Sequence, residues 1–243
     1  MTVQLAEGLH WVEACHDLGG EHEHVSVYLL EGEGTVLVDS GSFRHRGEIR
    51  TAVRDLAGEG GVDALVLSHS DYPHAANVGE FVADGAELVA SSGAPEKQGL
   101  PDARKADIGG RMTVAGREVR FVDPPLADRS HTTWVYDEDT RTLFTADGFG
   151  SRHPPDRCTA TSADFEDGIP ADAVEEFHRH ELPWLRYVDP DRLRAALDDV
   201  FEAHPPDWVA PIHGHPIAGD DLEGYLDDLT AAARRIAADR SGE

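Results

Sequence analysis

The chain has 243 residues and a formal net charge of −26, and its basic residues are almost all arginine, with lysine only at Lys97 and Lys105. Phosphate recognition needs clustered positive charge, so nucleic acid is excluded as a default partner; an acidic, lysine-poor surface instead predicts a halophilic protein that stays soluble in concentrated salt, where screening shortens electrostatic reach to roughly 3 Å at 1 M. The start, MTVQLAEGLHW, lacks the basic and apolar regions of a secretory signal, and no apolar run approaches bilayer length, so a cytoplasmic chain with no membrane partner is expected.

Residues 24–30 and 35–39 are β-rich runs separated by Glu31-Gly32-Glu33-Gly34, which predicts a hairpin closed by a glycine-containing turn. Ile49, Val53 and Leu56 recur at helical spacing over residues 48–56, and the glycines from Gly58 to Gly61 stop that helix. The apolar run Ala64–Leu67 predicts a buried strand; a short helix follows over residues 75–83 and another strand over 87–90. Residues 93–106 are too polar and broken for an assignment. Two more hairpins are expected, 112–114 with 118–122 around Ala115-Gly116, and 132–136 with 142–145 around Asp137-Glu138-Asp139. Residues 151–170, rich in Pro, Ser and Asp, read as an excursion over the surface. Helices are expected over 171–181, 192–203 and 222–238, with a short apolar strand at 208–212 between the last two. Hairpins interleaved with βα units, repeated in both halves with no linker between them, predict one α/β domain over residues 1–243. Its two mixed sheets pack face to face with helices outside.

Cys15 and Cys158 are the only cysteines, are far apart in sequence and form no CxxC pair, so neither a thiolate metal site nor a disulfide framework is expected. The chemistry concentrates in residues 67–80, LSHSDYPHAANVGE. His69, Asp71 and His74 put three metal-competent side chains on the turn that leaves a strand's C-terminal end and enters a helix, where open α/β sheets collect ligands. His131, Asp147 and His213 each adjoin a further apolar β-type run, the way a site is assembled from several strand ends. Imidazole and carboxylate without sulfur suit one or two ions of zinc, iron or manganese. Other roles stand beside this one. Asp71 precedes Pro73 and could cap the following helix, although a cap does not account for His69 and His74; Asp147 precedes Gly148, as many turn residues do. His22 and His24 alternate, so they share one face of a strand and read as a polar pocket wall. His178 and His180 read as a solvated helix face.

The segments VDSG at 38–41, HSDYPH at 69–74, His131 before Thr132, TADGFG at 145–150 and PIHG at 211–214 resemble, in order and spacing over essentially the whole chain, the metallo-β-lactamase superfamily. The resemblance implies a four-layer αββα sandwich with a one- or two-metal site at the sheet edges. The family's first motif is usually His-x-His-x-Asp-His, whereas the flavodiiron branch, which handles oxygen and nitric oxide, has glutamate in the second ligand position. Here that position is the carboxylate Asp71, and the residues 143–150, Arg186-Tyr187 and the run to Gly214 are also similar to that branch. Carried over residue by residue, the resemblance implies His69, Asp71 and His131 around one metal, His74 and His213 around the other, Asp147 bridging, and Asp39 orienting ligands from behind. Pro73 stands where the family pattern has an aspartate ligand of the second metal. Proline offers no ligand atom, so that ion keeps His74, Asp147 and His213, and a single-metal protein is the other outcome.

Three functions follow. The first expectation is hydrolysis of a small-molecule ester, thioester or amide by metal-activated water, with Asp147 positioning the hydroxide and His215 or a water protonating the leaving group. The second is a di-iron centre that binds or reduces oxygen or nitric oxide. No glycine- or Ser/Thr-rich phosphate loop follows a strand to bind FMN, so electrons would come from a separate donor, or the protein would be a sensor. The third is a fold kept as a partner-binding module. The resemblance also implies a head-to-tail homodimer, and the pocket walls are expected from residues 93–106 and 151–185.

Overall fold

The computed structural model describes residues 1–91 and 102–239. Four short strands precede the predicted hairpin: β1 (Thr2–Ala6), β2 (Leu9–Val12), β3 (Cys15–Asp17) and β4 (His22–His24). The hairpin itself is β5 (Val27–Leu30) with β6 (Val36–Val38), paired antiparallel. Next come α1 (Arg46–Ala57), β7 (Ala64–Leu67), α2 (Val78–Ala83), β8 (Glu87–Ser91) and β9 (Arg104–Ala106). The second half contains β10 (Arg111–Val114), β11 (Arg117–Val122), β12 (Trp134–Asp137), β13 (Thr142–Phe144) and β14 (Arg152–His153). It ends with α3 (Ala171–Glu181), α4 (Pro190–Ala203), β15 (Trp208–Ala210), β16 (Ile217–Ala218) and α5 (Leu222–Ala238).

One sheet has the order β1-β2-β5-β6-β7-β8-β9 and the other β10-β11-β12-β13-β15-β16. Both are mixed, with hairpins joined to parallel steps at β6-β7-β8-β9 and β13-β15. Alternation along each strand explains the layers. Tyr28 and Leu30 of β5 and Ala64 and Val66 of β7 join Trp11, Phe121 and Phe144 between the sheets. Val27, Leu29, Leu65 and Leu67 point the other way, onto Ile49 and Val53 of α1 and Val78 and Phe81 of α2. Strands buried on both faces read as unbroken apolar runs, which is why Ala64–Leu67 was conspicuous in the sequence. The outer face of the second sheet, through Trp134, Tyr136, Leu143 and Val209, packs on Val174, Leu193, Leu197 and Leu229 of α3, α4 and α5. The result is helices, sheet, sheet, helices: the αββα sandwich.

Differences from expectation have local causes. Helix α4 begins at Pro190 because Asp189 caps it, its Oδ1 accepting from the Asp191 and Arg192 amides at 3.0 and 3.4 Å. Helix α2 begins only at Val78 because Asn77 spends its amide on the carbonyls of Ser40, Gly41 and Ser42, which pins the preceding turn to the end of β6. The excursion at 151–170 contains β14, which pairs with β4, and β4 pairs with β3 in a third, three-stranded sheet. Among the described residues no helix is long and apolar enough to cross a membrane.

Candidate metal centre

Strands β6, β7, β13 and β15 run in a common sense within their sheets, and β12 runs antiparallel to β13. The residues after β6, β7, β13 and β15 and those before β12 therefore reach one edge of the sandwich. Backbone ties hold the loops there: Ser151 N–H donates to the His213 carbonyl (2.8 Å), Ile212 N–H to Ala146 (2.9 Å), and Thr133 N–H to Ser68 (2.8 Å). The glycines of the motifs make room for this. A Cβ on Gly214 would lie 2.9 Å from the Phe149 carbonyl oxygen, and one on Gly150 would enter the Phe177 ring at 2.1 Å.

Asp147, only 8% exposed, sits at the middle of the predicted residues. Its Oδ1 lies 3.0 Å from His74 Nε2 and 3.1 Å from His213 Nε2, and its Oδ2 lies 3.8 Å from His69 Nε2. His69, Asp71 and His131 offer one group of ligand atoms mutually within 4.8 Å, and His69, His74 and Asp147 a second. All six residues proposed from sequence are thus brought together. The charges are correspondingly shifted. Burial opposes ionisation of Asp147, but the His74 charge and the hydrogen bonds from His213 and His74 outweigh it and hold the carboxyl well below its usual range. Burial likewise opposes protonation of His74, yet Asp147 and Asp39 raise it to about 10.

The rings are oriented from behind. Asp39 is buried, and its carboxylate accepts from Ser68 N (2.9 Å), Ser68 Oγ (2.6 Å) and His74 Nδ1 (3.0 Å). His213 Nδ1 donates to the carbonyl of His24 (2.7 Å), which turns its Nε2 inward. The Asp71 amide donates to His69 Nδ1 (3.0 Å), while His69 Nε2 is buried and makes no hydrogen bond although Asp128 Oδ1 stands 3.1 Å away. Two groups of imidazole and carboxylate atoms, each mutually within 4.8 Å and mostly buried, converge here with no lysine or arginine among them. This donor set fits a divalent cation.

Sequence reasoning missed part of the cleft, which has a volume of about 260 Å³. Asp128 and Arg129 line it beside Asp71, and Arg129 Nε donates to Asp71 Oδ2 at 3.3 Å; their only signal was a position two or three residues before His131. Glu23 and His16 enter from the small sheet, and Glu181 from α3. Pro73 lines the cleft too, contributing shape but no ligand. Of the expected pocket walls, 93–101 lies outside the described residues.

Two histidines are placed differently from expectation. His215 does not line the cleft: its Nδ1 donates to the Ala160 carbonyl (2.8 Å), its ring packs on His24, His153 and Phe165, and burial pushes it down to about 3. A neutral, enclosed ring has no proton to give a leaving group in the cleft, so its expected catalytic role is corrected. His178 is fully buried, its Nδ1 donating to the Val174 carbonyl (2.7 Å), rather than part of a solvated face.

Comparison with known proteins bears on what this edge can do. The metallo-β-lactamase superfamily model matches residues 20–173. A rubredoxin-oxygen oxidoreductase of Megalodesulfovibrio gigas is 25% identical over 211 residues, covering 81% of this chain and 50% of that protein. A putative diflavin flavoprotein A 2 of Nostoc is 30% identical over 131 residues, covering 51% of this chain and 23% of that one. The solved rubredoxin:oxygen oxidoreductase of Desulfovibrio gigas superposes with a TM-score of 0.78 at 19% identity, over 96% of this chain and 62% of its own. The chain therefore spans half or less of these curated relatives.

Proposed function

The chain belongs to the metallo-β-lactamase superfamily, and from that premise we propose that it is a di-iron protein that binds and reduces dioxygen or nitric oxide with electrons from a separate donor. The observation that carries this reading is the carboxylate of Asp71 grouped with His69 and His131 within 4.8 Å, a nitrogen- and oxygen-rich set suited to iron. A relative named for oxygen oxidoreduction and neighbours titled flavo di-iron proteins support it. An iron pair, when bound, supplies the redox equivalents and the open coordination positions that a small gas needs.

The protein's own groups have definable tasks in this reading. His69, Asp71 and His131 would hold one ion, His74 and His213 the other, and Asp147 would lie between them. Asp39 keeps the proton of His74 on Nδ1 and so its Nε2 turned to the centre. Asp128, 13% exposed at its side chain beside His69, supplies at the cleft a carboxylate that Pro73 cannot, able to accept or hold a proton. Hydrolysis takes second rank, because the expected proton donor His215 does not line the cleft. A homodimer belongs to the same proposal.

The test is reconstitution with ferrous iron without air, followed by metal counting, Mössbauer spectroscopy and gas consumption with dithionite-reduced rubredoxin. A pair of irons per chain, with oxygen or nitric oxide consumption lost in Asp147→Ala, is the expected result. Zinc as the tightly held metal, with thioesterase or esterase turnover and no gas consumption, overturns it. Sedimentation equilibrium checks the dimer, which a monomer mass removes.

A further inference from the structure

We propose a second metal site in this protein, a structural zinc site formed by Cys15, Cys158, His22 and His153, separate from the centre in the cleft. The two cysteines looked too distant in sequence for a thiolate site; the small sheet closes that distance. In its register Cys15 lies opposite His24, and His22 lies opposite both Asp17 and His153. Directly paired residues share a face, so Cys15, His22, His24 and His153 project together. Glu23, between the two histidines, projects the other way into the cleft, where its Oε1 is 3.7 Å from His213 Nδ1. Cys158 enters from the one-turn segment Pro155–Arg157 that follows β14.

Two of the ligand pairs already stand near the spacing of a tetrahedral ion, and binding would draw His153 toward Cys158 and His22. His22 Nδ1 is 3.1 Å from Cys158 Sγ, and His153 Nε2 is 3.7 Å from Cys15 Sγ. Zinc at about 2.3 Å from sulfur and about 2.0 Å from nitrogen would put its ligand atoms roughly 3.3–3.8 Å apart. Ligand atoms of Cys15, His22 and Cys158 all lie within 4.8 Å of one another, as do those of Cys15, His24 and His153. The rings are prepared for it: His153 Nδ1 donates to the Pro154 carbonyl (2.9 Å), which leaves the Nε2 lone pair facing Cys15. His24 Nε2 donates to the Cys158 carbonyl (2.9 Å), which ties the segment carrying Cys158 to β4. Two thiolates with two imidazoles select zinc, unlike the sulfur-free cleft. Binding one divalent cation converts two thiols to thiolates and releases two protons. The Cys15 thiol already donates to Glu13 Oε1 (3.3 Å), the first acceptor for one of them.

The test uses the full chain with cobalt(II) in place of zinc, because sulfur-to-cobalt charge-transfer absorption reports thiolate ligation and the cleft has no sulfur to give it. The bands are expected in wild type and in Asp147→Ala, and lost in Cys15→Ser/Cys158→Ser. An independent readout on wild type guards against a misfolded variant: zinc should slow alkylation of both cysteines about tenfold, and a chelator should restore it. Cobalt uptake without charge-transfer bands, alkylation indifferent to zinc, or a Cys15–Cys158 disulfide in protein isolated without air overturns the proposal. None of these outcomes depends on the metal or reaction in the cleft.

Discussion

Asp39→Asn isolates the role of the residue behind His74. Asp39 has φ 61°, a left-handed conformation that asparagine tolerates as readily as aspartate, so the backbone is kept and only hydrogen bonding changes. The amide oxygen can retain the Ser68 N–H now bound at 2.9 Å, which turns the NH2 group toward Ser68 Oγ and His74 Nδ1. The hydroxyl can rotate to accept; the imidazole can accept only if its proton moves to Nε2, the atom 3.0 Å from Asp147 Oδ1. That proton occupies the lone pair a metal needs. Loss of such an orienting partner lowers metal affinity about 10- to 100-fold, or roughly 1.4–2.7 kcal/mol. Competitive titration of iron or zinc against a chromophoric chelator measures it. Affinity within about twofold of wild type would refute the argument.

Four further outcomes are expected. Arg117 pairs Asp137 through two hydrogen bonds of 2.9 and 2.8 Å, both side chains buried, and its third nitrogen donates to the Glu31 carbonyl at 2.8 Å; Arg117→Ala leaves the carboxylate unpaired and should cost about 3–5 kcal/mol in urea unfolding. Burial lowers His178 from 6.5 to about 4, so its neutral form contributes stability that is complete above pH 6.5 and is lost as pH falls toward 4, roughly 3 kcal/mol in all. His178→Gln should flatten that part of the profile, and an unchanged slope contradicts the assignment. With a net charge of −26, Tm should rise by about 5 °C or more between roughly 0.1 and 2 M KCl if the surface is adapted to salt, and a flat response removes the high-salt reading. We further propose that residues 1–243 unfold as one unit, with calorimetric and van't Hoff enthalpies in agreement; two separable transitions would exclude it.

What could be read from the sequence followed from burial on both faces. Ala64–Leu67 and its partners form strands whose alternate side chains enter two different cores, and such strands leave unbroken apolar runs whose ends mark where ligands emerge. The six residues His69, Asp71, His74, His131, Asp147 and His213 all stand at those ends. Strands β3, β4 and β14 were invisible for the converse reason: they have three, three and two residues and are only partly buried, so they leave neither an apolar run nor enough length for alternation to register. The three-dimensional neighbours of the ligands were hidden more deeply. Asp128 and Arg129 sit in a loop with no periodicity, and their roles exist only because Asp71 and His69 are across from them.

The orientation of His213 shows where a side-chain reading must stop. Its Nδ1 is held by the main-chain carbonyl of His24, 189 residues earlier, and a carbonyl is the same whatever residue carries it. Strand β4 is fixed in turn by its pairing with β3 and β14, and its own two histidines face away from the cleft. A metal bound on that far face would therefore stiffen the strand whose backbone aims a cleft ligand. The two sites, unlike in donor chemistry, would be coupled by one short strand and by a hydrogen bond that no motif could announce.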